Sequence, residues 1–278
     1  MTDLRQSISI RGVNGADWAL GGPARTAKDA WITGGLTGLF QEAPRTPTRT
    51  SRAYEIGSTP RMVKIEERLL DFRVRLEGRT RRDFEELYAA WKRSWSMYAD
   101  TELFTKSEVF GTRSLKARLD RVMAPDMENY SMQSTKIEIE MVVVACWPFL
   151  KSGVDTLEWN FPAGTNTHQF EIENRTDVPL WMEWGGTPIT AAKLPDALSG
   201  RMVPIKAQSN VWKVRTRGGI EQLSSSNHTN ELKTLQGLSF LYEIPPNTPP
   251  TLLPVEITAA VPGTLRAIMP RYHEMPWG

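Results

Sequence analysis

The side chains best suited to bind a metal or attack a substrate are three histidines, His168, His228 and His273, and one cysteine, Cys146. The histidines lie far apart, and none has a partner at the H-x-x-x-H or C-x-x-C spacing that brings two ligands to one zinc ion. No metal site is expected. Cys146 falls within the apolar run Met141 to Phe149, where a thiol is expected to be buried and its thiolate disfavoured. With no G-x-S-x-G elbow either, nucleophilic catalysis has no agent. Gly34, Gly35 and Gly38 are not followed by a Lys-Ser or Lys-Thr pair, so they read as turn glycines and no P-loop is present. A glycosidase needs only two carboxylates, and Glu171 with Glu173 or Glu183 with Glu158 are the candidate pairs. On a strand, Glu171 and Glu173 point the same way, opposite to Phe170 and Ile172, which is the solvent row of a half-buried strand. Asn174-Arg175-Thr176 and Asn227-His228-Thr229 fit the glycosylation acceptor pattern, which has little meaning without a secretion signal. These residues predict a chain with no catalytic site, cofactor or metal.

Ten tryptophans offer another kind of chemistry, stacking on sugar rings. Trp184 shares a strand face with Val178, Leu180 and Met182 and reads as core, whereas Trp181 lies on the opposite face, available to a glycan or a protein partner.

The elements that would position such residues are mostly strands. At 278 residues, 40% hydrophobic and 24% charged, the chain is long enough for two domains with separate cores. A lone cysteine suits a reducing compartment, and the opening MTDLRQSISIRG lacks the apolar segment of a secretion signal. The net charge of +2 is too small for a general nucleic-acid binder. Residues 45 to 93 nevertheless hold 13 Lys and Arg against 8 Asp and Glu, either a solvated salt-bridged surface or a face that meets an acidic partner.

One helix is predicted over 81–96. Thr80 caps it with Asp83 three residues on, and Phe84, Leu87, Tyr88, Trp91 and Trp95 form a single apolar face. Leu70, Phe72, Val74 and Leu76 alternate with charged residues just before it, a half-buried strand on which the helix packs. Ser114 to Arg121 reads as another strand. Lys136 to Trp147 reads as a long one whose buried face is Ile137, Ile139, Met141, Val143 and Ala145, with Pro148 ending the ladder. Beyond it, helical periodicity disappears and short strands are predicted at 168–174, 178–184, 209–215, 238–244, 255–260 and 263–269, an all-β sandwich. PPNTPPTLLP reads as a rigid loop, and GGLTGLFQEAPRTPTRTSR, from Gly34, as a long exposed arm or loop. The expected fold class is mainly β with one prominent α-helix, in domains 1–150 and 151–278.

Those features together resemble a known family. The helix TRRDFEELYAAWKRSW, the strand ending in CWPF, the sandwich entered through FEIENRTDVPLWMEWGG and the ending PRYHEMPWG are similar to the distal tail proteins, or minor tail proteins, of long-tailed siphophages, particularly those of actinobacterial hosts. Gly12, Asn14 and Gly15 in SIRGVNGADWALGG, and the GLTGLFQEAP that follows, are similar to the start of those proteins. The resemblance implies a virion protein of the tail tip, assembled in the host bacterial cytoplasm. In it a β-barrel or sandwich-like N-terminal domain builds a hexameric ring, and a galectin-like C-terminal β-sandwich projects outward. It implies as partners further copies of the chain, the tail tube protein, and the tail-tip hub with other minor tail proteins. DNA would be met only in transit through the channel.

A ring with cyclic symmetry needs a heterologous interface, and residues 34 to 60 have the length and composition of an arm lent to a neighbour. The expected contact residues are Leu36, Leu39, Phe40, Arg45, Arg49, Arg52 and Tyr54. The lumen is expected to be polar without a strongly basic lining, because clustered arginines would hold passing DNA. A carbohydrate-binding module, with Trp181 as contact, is the alternative, and a hydrolase the third class.

Overall fold

A computed structural model describes residues 7–22, 29–51, 53–54, 56–126, 134–218, 222–227, 235 and 237–277. The chain divides into two compact units: unit 1, Met1–Lys151 with His273–Gly278, and unit 2, Ser152–Tyr272. Where the sequence puts the second domain over 151–278, its final residues, from His273, belong to unit 1 instead. The fold is β-rich and antiparallel with a single α-helix among the described residues.

In unit 1 the strands are β1 (Ser7–Arg11), β2 (Asp17–Gly21), β3 (Asp29–Thr37), β4 (Arg45–Thr50), β5 (Thr59–Ile65) and β6 (Arg68–Glu77), then helix α1 (Arg81–Arg93), β7 (Thr101–Ser107), β8 (Gly111–Leu119), β9 (Ala124–Pro125) and β10 (Lys136–Ala145). β6 pairs with β3 on one side and, over ten residues, with β10 on the other. β1 joins β2 to β7, and β7 pairs with β8. Alternation decides which side chains go inward: Leu70, Phe72, Val74 and Leu76 from β6 and Ile139, Met141 and Val143 from β10 are almost wholly buried. Each such side chain contributes about 1.5–3 kcal/mol. Phe84, Trp91 and Trp95 from the helix complete this core. The helix starts at Thr80 because the Thr80 hydroxyl accepts from the Asp83 N–H at 3.1 Å while the Asp83 carboxylate accepts from the Thr80 N–H at 3.2 Å, a capping box. It ends at Arg93, three residues short of the sequence expectation.

β10 stops at Ala145, and Cys146 is exposed, contrary to the expected burial. It has the outward parity of Glu138 and Glu140, and lies past the end of the ladder, where nothing obliges that face to be covered.

Unit 2 is a sandwich built from β11 (Leu150–Phe161), β12 (Gly164–Asn174), β13 (Glu183–Gly186), β14 (Ile189–Pro195), β15 (Met202–Gln208), β16 (Trp212–Arg215), β17 (Leu223–Ser225), β18 (Thr248–Ala259) and β19 (Gly263–His273). One sheet runs β12-β18-β14-β15, the other β17-β16-β13-β19-β11. Phe170, Ile172, Val203 and Ile257 meet Trp184, Trp212, Val214 and Leu265 in its core. Three readings of the sequence are corrected. The proline-rich stretch expected as a loop is mostly strand: β18 pairs with β12 from Ala259 back to Thr248, with a register shift where Pro249 and Pro250 fall. β14 pairs only with Glu256, Ile257 and Thr258, so the proline-bearing half has an open edge, where a missing N–H breaks no ladder. Residues 238–244, expected as a strand, make only the Leu180–Ile244 bridge. The N–H groups of Leu241 and Tyr242 donate instead to the buried Asp196 carboxylate, at 3.0 and 3.1 Å, which also pairs with Arg201 at 2.8 Å. The expected strand 178–184 shrinks to its end, as β13.

Candidate functional site

No constellation for catalysis assembles among the described residues. No group of three or more His, Cys, Asp or Glu there could hold a metal. His168 stacks on Trp159 with centroids 4.9 Å apart, an aromatic contact, and His228 lies outside the described residues. Of the carboxylates weighed as glycosidase pairs, three engage separate basic side chains, Glu173 with Arg175, Glu158 with Arg266 and Glu183 with Lys213, and Glu171 is exposed on β12. Asn174, the first glycosylation candidate, is fully buried and donates to the carbonyls of Val178, Ile244 and Pro245. Trp184 is core, whereas Trp181 is half-buried.

The feature that stands out is a hairpin. β4 and β5 pair with each other and with no other strand, in register from Arg45↔Ile65 to Thr50↔Thr59. Every residue of both strands is exposed. Sequence dictates the pairing: Thr46, Thr48, Thr50, Thr59, Val63 and Ile65 are β-branched and favour extended backbone, with no continuous apolar row to bury against the core. Large apolar side chains remain open to solvent, Met62 and Val63 more than half and Tyr54 and Ile56 completely. A free two-stranded hairpin is marginal in water, and exposed apolar side chains of this size are unusual on one.

The expected contact residues divide. Tyr54, at φ +71°, is at the tip, and Arg49 is exposed on β4 opposite Pro60. Arg52 lies outside the described residues. Arg45 opens β4 and pairs with Glu42 at 2.8 Å and with Glu274. Phe40 stacks on Trp277, centroids 4.5 Å apart and planes 14° from parallel. Leu36 is partly buried against the unit 1 core. Leu39 is fully buried, which removes it as a contact for a partner. The turn at Gly38 causes this: its φ is +80°, and a Cβ there would lie 2.0 Å from the Leu69 carbonyl oxygen, so glycine alone lets the chain double back and insert Leu39.

Beneath the hairpin lies a buried polar hub that sequence reasoning missed. Arg68, wholly buried, donates from Nε to the Pro148 carbonyl at 2.7 Å, from Nη1 to the Gly38 and Gln41 carbonyls at 2.6 Å, and from Nη2 to the Glu274 carbonyl at 2.6 Å. Burial holds its guanidinium pKa below the usual value, and the Glu274 charge opposes that shift. A charged residue at the inward position of β6 was the only hint, since the alternation Arg68, Leu70, Phe72 puts it on the core face.

The outward face of β6 and β10 is a ladder of mixed charge. Arg75 faces Glu138, Arg73 faces Glu140, and Glu77 faces Lys136, with Asp71 beside Val142. The basic excess of residues 45–93 is therefore dispersed: Arg68 is buried, Arg81 and Arg82 pair with Glu85 and Glu86 along the helix, and the hairpin keeps Arg49 and Arg61 exposed.

No protein-family model matches this sequence, and no curated protein matches it. Solved structures do resemble its fold. The Dit protein of SPP1, described as a paradigm of the hub adsorption apparatus in phages infecting Gram-positive bacteria, is similar with a TM-score of 0.56 at 10% identity, over 96% of this chain and 98% of that one. A chain of the phage P2 baseplate in its activated conformation with calcium is similar with a TM-score of 0.50 at 10% identity, over 97% and 99%. The strontium form of that baseplate gives 0.50 at 8% identity, over 95% and 97%. At such identities the likeness is one of fold, and it extends along the whole chain.

Proposed function

We propose that this chain is a structural protein of a long-tailed phage virion, six copies of which form a ring at the distal end of the tail. The ring joins the tail tube to the tip hub and lets DNA pass. The observation that carries this reading is the hairpin of β4 and β5, whose strands are exposed throughout, paired only with each other among the described residues and flanked by open apolar side chains. Such an element needs a surface to lie on, and a neighbouring copy supplies one in every protomer of a closed ring. The fold likeness to SPP1 Dit and to a baseplate chain supports the place in the tail.

The channel wall in this reading is the outward face of β6 and β10. Its row of Asp71, Arg73, Arg75, Glu77, Lys136, Glu138 and Glu140 carries both signs and nearly cancels. A lining of that kind hydrates passing DNA without releasing enough counterions to hold it. The hairpin, richer in arginine, faces the neighbour or the hub.

Sedimentation velocity and native mass spectrometry of the purified chain, with negative-stain images, test the proposal. A six-copy annulus with a central hole is expected, as is its capture by tube or hub proteins. A monomer at high concentration that joins neither overturns it, and turnover of a glycan or affinity for cell-wall glycan would redirect it to the hydrolase or carbohydrate-binding class.

A further inference from the structure

Among the described residues the hairpin pairs with no other strand, and one short segment holds both of its roots. We infer that residues 273–277 act as a strap that fixes the direction of the arm, with Glu274 as its positioning residue. At the first root, Glu274 Oε2 accepts from the Ala43 N–H at 2.9 Å and Oε1 pairs with Arg45, the first residue of β4. At the second root, β5 ends at Ile65 and β6 begins three residues later at Arg68, whose Nη2 donates to the Glu274 carbonyl at 2.6 Å. The Glu66 N–H donates to the Pro44 carbonyl at 2.8 Å, which closes the base between the roots. Trp277 stacks on Phe40, and Arg113 donates to the Met275 carbonyl, so the strap has two further anchors just after Glu274.

A buried charge of this kind is a poor way to gain stability. Glu274 is 5% exposed, and an apolar side chain of its size would fill the space without the cost of desolvating a carboxylate. What an apolar side chain cannot do is grip an N–H and a guanidinium two residues apart in the stretch that launches β4. The carboxylate thereby sets the angle at which the hairpin leaves the body. Its benefit to assembly rests on the ring reading above: an arm held at one angle reaches the next copy without first losing conformational freedom. The orientation itself does not depend on that reading.

The test uses the full chain with Cys146→Ser and two spin labels, at Thr48→Cys on β4 and Lys116→Cys on β8, both exposed sites. Electron-electron resonance on dilute protein gives the distribution of distances between arm and body. A single narrow distance is expected for the parent. Glu274→Gln keeps shape and loses the charge, and is expected to broaden that distribution at least twofold. Arg45→Met, which removes the partly exposed partner and leaves the strap's other anchors, is expected to broaden it as well, and it serves if the glutamine variant does not fold. A parent that is already broad, or variants as narrow as the parent, overturns the inference, even if the melting temperature drops. Native mass spectrometry separates the two readings. Parent rings with variant monomers support both. A parent that never self-associates sinks the ring while the distance data still judge the strap.

Discussion

Arg68→Met isolates the hub under the hairpin, because methionine keeps the apolar stem and deletes the donors. Four carbonyls, of Gly38, Gln41, Pro148 and Glu274, then lose a bond of 2.6–2.7 Å. A buried acceptor left unpaired costs about 1–3 kcal/mol, so four would cost about 4–12 kcal/mol, comparable with the whole stability of a domain. Two effects reduce that figure. The bonds to Gly38 and Gln41 are only partly buried, so water can reach those carbonyls. The variant also no longer desolvates a guanidinium, the effect that holds the Arg68 pKa down. The net loss expected is about 3–5 kcal/mol, typical of removing one partner from a buried charged network.

For a unit of this size that corresponds to a melting temperature lower by roughly 10 °C. Scanning calorimetry gives the shift, and amide exchange of the β6 and β10 strands assigns it to unit 1. Arg11→Met is the control, since the Arg11–Asp17 pair is exposed on both sides and its loss is expected to leave the melting temperature nearly unchanged. A loss below about 1 kcal/mol for Arg68→Met would refute the reasoning, for it would mean that the carbonyls are satisfied without the guanidinium.

In the hairpin, Ile56→Asp with Met62→Asp removes open apolar side chains worth about 1.5–3 kcal/mol each when buried. Sedimentation is expected to show self-association weakened at least 100-fold with the melting temperature unchanged. Asp196→Asn in unit 2 leaves the amides of Leu241 and Tyr242 and the Arg201 guanidinium short of an acceptor. Urea unfolding is expected to show a loss of about 3 kcal/mol. Burial, aided by Glu183 and opposed by Arg217, raises the Tyr272 pKa above its usual 10.0. The unfolded phenol ionises first, so this residue lowers stability as pH rises from about 10 through the folded value. Tyr272→Phe is expected to lose less stability over that interval, followed by circular dichroism, and to remove the latest step of the 295 nm titration.

What the sequence discloses and what it hides follow from the distance over which each feature is decided. The helix is legible because its cap, Thr80 with Asp83, and its apolar face lie within fifteen residues of one another. β6 and β10 are legible because one face is buried and the other wet, which writes period two into the chain. β11 is harder to read, since LKSGVDT is largely exposed along both faces and only its last residues alternate, with Leu157, Trp159 and Phe161 turned to the core. The first half of β18 hides behind prolines that an open edge tolerates, while its second half, expected at 255–260, is legible. Leu39 misleads because a leucine in a glycine- and proline-rich stretch reads as exposed until the turn at Gly38 sends it inward. Glu274 gives no local signal at all: its partner Ala43 is 231 residues away, and only the folded chain reveals that its carboxylate is buried.

The hairpin belongs to a different class of partial legibility. Glycine, proline and threonine mark residues 34 to 60 as a segment without a core, and that much is correct for the strands, all of whose residues are exposed. The pairing of Arg45–Thr50 with Thr59–Ile65 is invisible in the sequence, because a strand with neither face buried has no reason to alternate. Yet Met62, Val63 and Ile65 are not the residues of a solvated loop. Apolar side chains that the monomer leaves uncovered, on an element too small to stand alone, make sense when the burying surface belongs to another molecule. On the ring reading proposed above, the missing alternation follows from a surface that only assembly would cover.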